Sequence, residues 1–345
     1  MRRIIGKDKK GRTVLINVPS YDDMYINNQF GPQTAYDVGI SSNGSGSADS
    51  STPVVPSGTQ KAIFGYGYDG TNRVSTTNLV SSTGVVATNT TGVGTARNAL
   101  AAAGYGTDKA IFGYGDSNTG PVSITNKVSN TGVVATDTTG VGTGRYFLAA
   151  AGYGTDKAIF GYGSTGAVVS LTNLVSNTGV VATDTTGVGT ARSSLAAAGY
   201  GTDKAIFGYG VTSIVNVSTT NLVSNTGVVA TDTTGVGTVR QALAAAGYGT
   251  DKAIFGYGNT GAYVSMTNLV SNTGVVATDT TGVGTGRQLL GAAGYGTDKA
   301  IFGYGFTGVN ASLTNLVSNT GVVATDTTGV GTARQGLAAA GYSLS

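Results

Sequence analysis

The chain has 345 residues, of which 57 are glycine and only 11% are charged, and all 17 acidic residues are aspartate. Long amphipathic helices depend on glutamate, leucine and lysine in helical spacing, so this composition predicts an all-β protein. The absence of cysteine and histidine excludes disulfide frameworks, imidazole bases and the common zinc sites, and a net charge of +3 does not indicate a nucleic-acid-binding surface.

Residues 1–60 match none of the repeats that follow. The basic residues at the start do not precede the apolar core of a secretory signal, and no later segment is apolar for about 18 residues, so we expect neither a signal peptide nor a membrane span. Residues 13–18 predict a strand, and the Ser- and Gly-rich residues 41–60 predict a flexible linker. We expect residues 1–40 to form an extended arm that attaches to a partner by strand addition, with a disordered tail as the alternative.

The remainder of the chain, residues 61–345, is a repeat. The string KAIFGYG begins at six lysines spaced 47 or 48 residues apart, namely Lys61, Lys109, Lys157, Lys204, Lys252 and Lys299. A second marker, an arginine followed three residues later by leucine, recurs at Arg97, Arg145, Arg192, Arg240, Arg287 and Arg334. Six units of this length predict a repeat architecture.

Within one unit the pattern predicts four short strands. In one copy they are expected at residues 148–153, 158–162 and 169–175 and from residue 180 onward. Tight turns join them, since Gly and Asp after the first strand and Asn-Thr-Gly after the third suit positive φ. Four strands of about 5–6 residues fit one propeller blade, and the first strand, almost all Ala and Gly, suits a position beside a crowded central channel. The sequence therefore predicts a six-bladed β-propeller.

The two ends of the array predict a closed ring. The first unit begins at Lys61 without a preceding LAAAGY strand, whereas the chain ends with this strand at residues 337–342. Pairing of the C-terminal strand with the first unit would close the ring and remove exposed strand edges. An open solenoid is the alternative.

These motifs resemble two kinds of known protein. The arginine before the first strand, the AIFGYG strand and the Asn-Thr-Gly turn resemble kelch-type propeller repeats over residues 61–342, with Gly-Tyr-Gly where kelch repeats carry a double glycine and no tryptophan in the fourth strand. Oxidases that resemble kelch propellers use His and Cys with copper, and this chain has neither residue. The near-identical Gly-, Thr- and Ser-rich copies also resemble repeat proteins of tailed-bacteriophage virions.

The largest differences among the six copies fall at two sets of positions. One set is the loop after GYG and the other is the pair of residues after the arginine, and in an up-and-down meander both lie on one face of the disc. Loops on a rigid scaffold commonly carry recognition, with aromatic side chains as anchors. We predict a ligand-binding face, with drift at unconstrained loops as the alternative, and its candidate residues are Tyr68, Asn72, Arg73, Asn118, Tyr146, Phe147, Asn216, Gln241, Asn259, Tyr263, Gln288, Phe306 and Asn310.

The sequence predicts no catalytic site. An Asp and an Arg recur in each unit, for example Asp137 with Arg145 and Asp184 with Arg192, and such repeated pairs predict structural salt bridges or turn-capping interactions. The loop residues Asp69 and Asp116 lie outside the repeat pattern and are expected to be solvated. We expect no catalytic residue, no cofactor and no metal ion.

These observations predict a non-enzymatic virion structural protein. We expect a phage tail fibre or appendage component, assembled in the host cytoplasm, that attaches to other virion proteins through residues 1–40 and binds a host surface glycan through one propeller face. The alternatives are a capsid-decorating or purely structural virion module and a cellular carbohydrate-binding adhesin. An enzyme is a further hypothesis, which turnover of any substrate would support.

Overall fold

A computed structural model describes residues 2–7, 13–18 and 60–342. These residues belong to two compact units, 1–54 and 55–345, which are described separately. The regular elements among these residues are all strands. This part of the chain therefore contains no helix long and apolar enough to cross a membrane.

The first unit contains one β-hairpin. Strand β1 (Arg2–Lys7) pairs antiparallel with β2 (Thr13–Val18), and Ile4 lies opposite Ile16. The sequence predicted β2 but not β1, because two adjacent isoleucines between basic residues do not show the alternation typical of a strand. The predicted linker lies outside the described residues, except for Gln60.

The second unit contains seven three-stranded antiparallel sheets, and the strands of one of them have only two residues each. Its strands are, in chain order, β3 (Lys61–Tyr68), β4 (Arg73–Val80), β5 (Arg97–Asn98), β6 (Ala101–Tyr105), β7 (Lys109–Gly113), β8 (Asp116–Ser117), β9 (Gly120–Pro121), β10 (Thr125–Val128), β11 (Ala149–Tyr153), β12 (Lys157–Gly161), β13 (Thr172–Val175), β14 (Ala196–Tyr200), β15 (Lys204–Gly208), β16 (Thr220–Val223), β17 (Ala244–Tyr248), β18 (Lys252–Gly256), β19 (Thr267–Val270), β20 (Gly291–Tyr295), β21 (Lys299–Phe306), β22 (Asn310–Val317) and β23 (Ala338–Tyr342). The first to sixth sheets are β23-β3-β4, β6-β7-β10, β11-β12-β13, β14-β15-β16, β17-β18-β19 and β20-β21-β22.

Each sheet follows the predicted meander but has three strands where four were expected. In the third sheet Ile159 of the middle strand lies opposite Ala151 on one side and Leu174 on the other. The segment predicted as a fourth strand joins β13 only through two isolated bridges, Thr172 to Thr185 and Val175 to Val181. Regular pairing stops there because the side chain of Asn173 donates to the Ala182 carbonyl, 3.0 Å away, and to Asp184. The prediction of four regular strands was therefore wrong in this detail.

The tight turn between the first two strands of a sheet is present as predicted. Gly154 and Thr155 have φ values of 59° and 68°, so the left-handed positions are these two rather than Asp156. The carboxylate of Asp156 instead accepts a hydrogen bond from Lys157 Nζ at 2.7 Å.

The six sheets form a closed ring. The first strands of the sheets, β6, β11, β14, β17, β20 and β23, each lie beside the first strands of two neighbouring sheets, and β23 lies beside β6. β23 also pairs with β3, with Ala340 opposite Ile63, so the C-terminal strand completes the first sheet as predicted. The open solenoid is excluded, and the repeat is consistent with a β-propeller-like architecture.

Neighbouring sheets pack through a phenylalanine that lies against a glycine. A Cβ atom at Gly161 would come within 2.7 Å of the Phe207 ring of the next sheet, and equivalent positions around the ring give 2.6 or 2.7 Å. Tyr162 packs against the same ring at 5.1 Å between centroids. Ile159 and Leu195 complete this cluster, so the core lies between sheets rather than within one.

A buried arginine crosses each junction. Arg192 is fully buried, and its guanidinium carbon lies 4.3 Å from the centroid of the Tyr162 ring in the preceding sheet. Within its own sheet Arg192 donates from Nε to the Tyr209 carbonyl at 2.9 Å and from Nη2 to Asn221 Oδ1 at 2.7 Å. The Tyr209 ring has the same place beside Arg240 that the Tyr162 ring has beside Arg192. Burial raises the pKa of Tyr209 to about 12, although the charge of Arg240 lowers it, so this phenol stays neutral beside Arg240. One side chain therefore joins two sheets, at a site where an unpaired charge would cost several kcal/mol.

The recurring Asp and Arg pair differently from the prediction. Asp184 Oδ1 lies 3.5 Å from Arg145 Nη1, and Asp137 lies beside Arg97. Each aspartate therefore pairs with the arginine that precedes the first strand of its own sheet. The expected pairs of Asp137 with Arg145 and Asp184 with Arg192 were wrong, because the segment that carries the aspartate folds back onto its own sheet.

Asp184 is held by hydrogen bonds as well as by charge. It accepts bonds from the backbone N and Oγ1 of Thr143, at 2.9 and 2.6 Å, and from Asn173 Nδ2 at 2.9 Å. Partial burial raises the pKa of Asp184, but these hydrogen bonds and the charge of Arg145 outweigh burial and hold the pKa below its usual value. In the first sheet Asn89 occupies the equivalent place, accepts from Thr332 N at 3.1 Å and donates to Thr332 Oγ1 at 2.7 Å.

Replacing Asp184 by asparagine should make the stability less dependent on pH. The folded pKa is depressed, so the carboxylate stabilises the fold above its unfolded pKa of about 4 and this contribution is lost as pH falls through the folded value. We expect Asp184→Asn to cost about 1 kcal/mol at pH 7 and almost nothing at about pH 2, measured by urea unfolding. The reciprocal Asn89→Asp is the control and should add the same pH dependence. A cost that is equal at both pH values would contradict this role.

Removal of residues 337–345 should open the ring. The deletion takes away β23 with the buried Leu337, Ala338 and Tyr342 and leaves the edge of β3 unpaired. We expect a loss of about 5 kcal/mol, seen as a fall of about 10–20 °C in the midpoint of thermal unfolding, together with association detected by light scattering. A chain ending at Tyr342 retains the strand and serves as control. An unchanged midpoint after the longer deletion would show that closure does not stabilise the fold.

Candidate functional site

The two variable sets of positions lie side by side in every repeat. Tyr146 forms a bridge with Ser164, with hydrogen bonds of 2.8 and 3.0 Å between their backbones, and Gln241 pairs with Asn259 in the same way. The equivalent pairs are Asn98 with Asp116, Ser193 with Val211, Gln288 with Phe306 and Gln335 with Tyr68. We call these residues and their loops the variable face, which comprises residues 68–73, 116–121, 164–167, 211–216, 259–263 and 306–310 and the pairs 98–99, 146–147, 193–194, 241–242, 288–289 and 335–336.

Charged residues of the variable face cluster between the first and second sheets. Arg73 forms an ion pair with Asp116 and donates to Asn118 Oδ1 at 3.1 Å and to Asn98 Oδ1 at 3.3 Å. The Arg73 and Asp116 side chains are 29% and 26% exposed, so solvent weakens the attraction between their charges. Of the predicted residues, Arg73 and Asn118 are thus brought together. Asn98 and Asp116 were missed as part of the site, although a charge opposite to that of Arg73 in the next copy was a usable signal.

Side-chain amides join neighbouring repeats farther round the ring. Asn216 donates to the Asn259 carbonyl at 3.3 Å, and Asn259 Nδ2 donates to Gln288 Oε1 at 2.9 Å. Asn310 donates to the Tyr68 carbonyl at 3.1 Å, which joins the sixth sheet to the first. These contacts show that several variable residues meet their counterparts in the next sheet.

The predicted aromatic residues are not all equally accessible. Tyr146 packs on Phe147 with centroids 5.2 Å apart, and Tyr263 meets Phe306 edge-on at 5.8 Å. Tyr263 is 38% exposed, whereas Tyr68, Tyr146, Phe147 and Phe306 are half-buried.

The variable face carries its charged and its exposed apolar residues in different repeats. Its charged residues Asp69, Arg73 and Asp116 all lie in the first two repeats. Exposed aliphatic side chains lie instead on the fourth and sixth sheets, with Ile214 85% and Val309 69% exposed. A ligand that covers the whole face would therefore meet charged groups at the first and second sheets and apolar groups at the fourth and sixth sheets.

A closed chain of backbone hydrogen bonds encircles the centre of the variable face. The second residue of each variable pair donates its N–H to the carbonyl of the preceding one at 2.7 or 2.8 Å, in the order Gly336, Leu289, Ala242, Ser194, Phe147, Ala99 and back to Gly336. We call these six residues the mouth ring. All have positive φ, from 51° to 62°, which for the five residues other than glycine costs about 1–2 kcal/mol each. Only Phe147 of this ring was predicted, because hydrogen bonds between sheets leave no signal in the sequence.

The opposite opening of the ring is formed by a turn whose sequence is the same in five of the six copies. There the Gly-Thr-Asp-Lys turns join neighbouring sheets through bonds such as Gly154 N to the Asp203 carbonyl at 2.7 Å. Gln60 occupies the aspartate position in the first repeat and accepts from Gly296 N at 2.8 Å. Gln60, assigned to the linker, therefore contributes a backbone contact to this opening.

No family model matches the chain, and no curated protein matches it significantly. Its repeated three-stranded antiparallel units are consistent with a β-propeller-like repeat. The function must be inferred from the variable face.

The Arg73 cluster should contribute little to stability. Because Arg73 and Asp116 are partly exposed, Arg73→Ala should cost no more than about 1 kcal/mol in the free energy of unfolding, measured with denaturant. A double-mutant cycle with Asp116→Ala should give a coupling energy below about 1 kcal/mol that falls as salt is added. Asn72→Ala, at an exposed neighbour, serves as control. A coupling energy of about 3 kcal/mol would show that the cluster is a structural link instead.

Proposed function

We propose that the ring is a six-bladed β-propeller that works as a non-enzymatic recognition scaffold and binds a host surface glycan through the variable face. The observation that carries this proposal is the contrast between an invariant frame and a single variable face. Phenylalanine, tyrosine and arginine repeat unchanged at every junction, whereas the residues that differ meet one another at the same end of each sheet. A rigid frame that presents loops of differing sequence is the usual design of a binding protein.

The chemistry of the variable face suits a glycan. Side-chain amides such as Gln288 and Asn118, together with the guanidinium of Arg73, donate hydrogen bonds of the kind that sugar hydroxyl groups accept. The exposed ring of Tyr263 offers an apolar surface on which the C–H face of a sugar can stack.

The proposal also includes a virion setting, in which residues 1–40 attach the protein to other virion proteins. Its support is the sequence resemblance to repeat proteins of tailed phages and the hairpin β1–β2. Within the described residues this hairpin pairs with no third strand, and a two-stranded sheet is marginally stable alone. Addition of a partner strand would stabilise it.

A second candidate is a purely structural virion module. The bonds from Arg73 to Asn118 and from Asn310 to Tyr68 favour it, because they use variable side chains to join neighbouring sheets. On this interpretation the copies differ in order to make each junction distinct.

Glycan binding by the full chain should depend on Tyr263. We expect Tyr263→Ala to weaken binding to bacterial surface polysaccharide, measured on a glycan array and by titration calorimetry, by about tenfold through loss of stacking. Val275→Ala is a matched control, since Val275 is 65% exposed and follows the turn at the opposite end of the same sheet.

The outcomes separate the two candidates. Binding that Tyr263→Ala weakens and Val275→Ala leaves unchanged supports the recognition role. No binding by the unaltered chain, combined with loss of incorporation into particles when residues 1–40 are deleted, supports the structural module.

A further inference from the structure

A small cavity opens at the centre of the variable face, inside the mouth ring. Its volume is about 110 Å³. Each of the six repeats contributes four consecutive residues to its lining, namely residues 99–102, 147–150, 194–197, 242–245, 289–292 and 336–339. An engineered apolar cavity of about 150 Å³ holds benzene, so this cavity has room for a somewhat smaller group.

The side chains that line the cavity are almost all apolar, and its polar surface comes from backbone atoms and Ser194. Each residue of the mouth ring donates its N–H to one neighbour and accepts from the other through its carbonyl, so these backbone groups are already bonded. Among the lining residues only Ser194 has a polar side chain, and the others are alanine, leucine, phenylalanine and glycine. The cavity therefore suits a small group that has an apolar end and a polar part that can meet backbone atoms or the Ser194 hydroxyl.

Five of the six mouth-ring residues carry a side chain, although their positive φ is a conformation that favours glycine. Gly336 shows that glycine is accepted at this position, where φ is positive in all six copies. Two other copies nevertheless carry large apolar side chains, Phe147 and Leu289, each in a conformation that side chains disfavour. Strain retained around a cavity indicates that the side chains serve the cavity rather than the turn.

We propose that the mouth of the channel is a subsite for an acetyl group carried by a sugar whose polar part lies across the variable face. This inference rests on the proposed glycan-binding function and assigns its specificity. An acetyl group matches the cavity in size, its methyl end suits the apolar lining, and Ser194 lies where it can meet the acetyl oxygen. Tyr146, which packs on Phe147, connects the subsite to the outer part of the variable face.

The test compares two sugars that differ only in the substituent at carbon 2. N-acetylglucosamine and glucose are each titrated into the full chain, and backbone amide chemical shifts are followed by NMR. With N-acetylglucosamine we expect shifts concentrated at Ala99, Ser194 and Leu289, and with glucose we expect at least fivefold smaller shifts at these residues. Equal shifts with both sugars, or shifts that avoid the mouth ring, would overturn the proposal.

Two substitutions at the mouth ring refine the test, and neither requires a change in backbone conformation. Ala242→Leu fills the cavity with a side chain that the next copy already carries at Leu289, and Leu289→Gly removes one wall with the residue found at Gly336. Each should weaken N-acetylglucosamine binding at least fivefold, whereas Val275→Leu, at an exposed position at the opposite end of the fifth sheet, should not. Retention of the shifts in Ala242→Leu would also overturn the subsite.

Failure of this inference differs from failure of the proposed function. Polysaccharide binding that depends on Tyr263 but not on Ala242 would leave the recognition role standing and remove the subsite. Acetyl-dependent shifts at the mouth ring without polysaccharide binding would support the subsite and remove the proposed role of the wider face.

Discussion

Each sheet is held to the next by one phenylalanine ring that lies against a glycine of its neighbour. The contact is so close that any side chain at Gly161 would overlap the Phe207 ring. The same contact recurs at every junction, including the one between Phe64 and Gly303 that joins the first sheet to the sixth. Because successive sheets meet through identical contacts, each is rotated by a similar angle from the last, and equal rotations bring the sixth sheet back to the first.

The buried arginine follows from this packing. The guanidinium at each junction is fully buried, so its charge must be paired or hydrogen-bonded there. Arg192 meets this requirement with Tyr162 on one sheet and with Tyr209 and Asn221 on the other. These residues recur in every copy because each depends on the others, and this leaves the loops at one end of the sheets free to differ.

The sequence predicted the features that depend on neighbouring residues. The repeat length, the turn at Gly154 and the pairing of residues 337–342 with the first unit all follow from local pattern or from the comparison of copies. The position of Asp184 beside Arg145 could not be predicted in this way, since it depends on how the last segment of a repeat folds back. The same holds for the fourth strand. There the side chain of Asn173 donates to the Ala182 carbonyl, whereas the sequence pattern predicts a regular backbone pairing.

The candidate site shows the same division. Variation among copies located its residues, and the meander placed them at one end of the sheets. That variation did not indicate which uncharged residues meet, such as Asn259 with Gln288, because these contacts join separate repeats.

By itself the sequence determined an all-β chain of six repeats, its closure by the C-terminal strand and the positions that vary. These properties depend on periodicity, turn chemistry and composition, which a single chain displays directly. Only the tertiary structure decided the mouth ring, its cavity and the partners of the buried charges. Such features arise between sheets, where the distance from one repeat to the next determines which groups can touch.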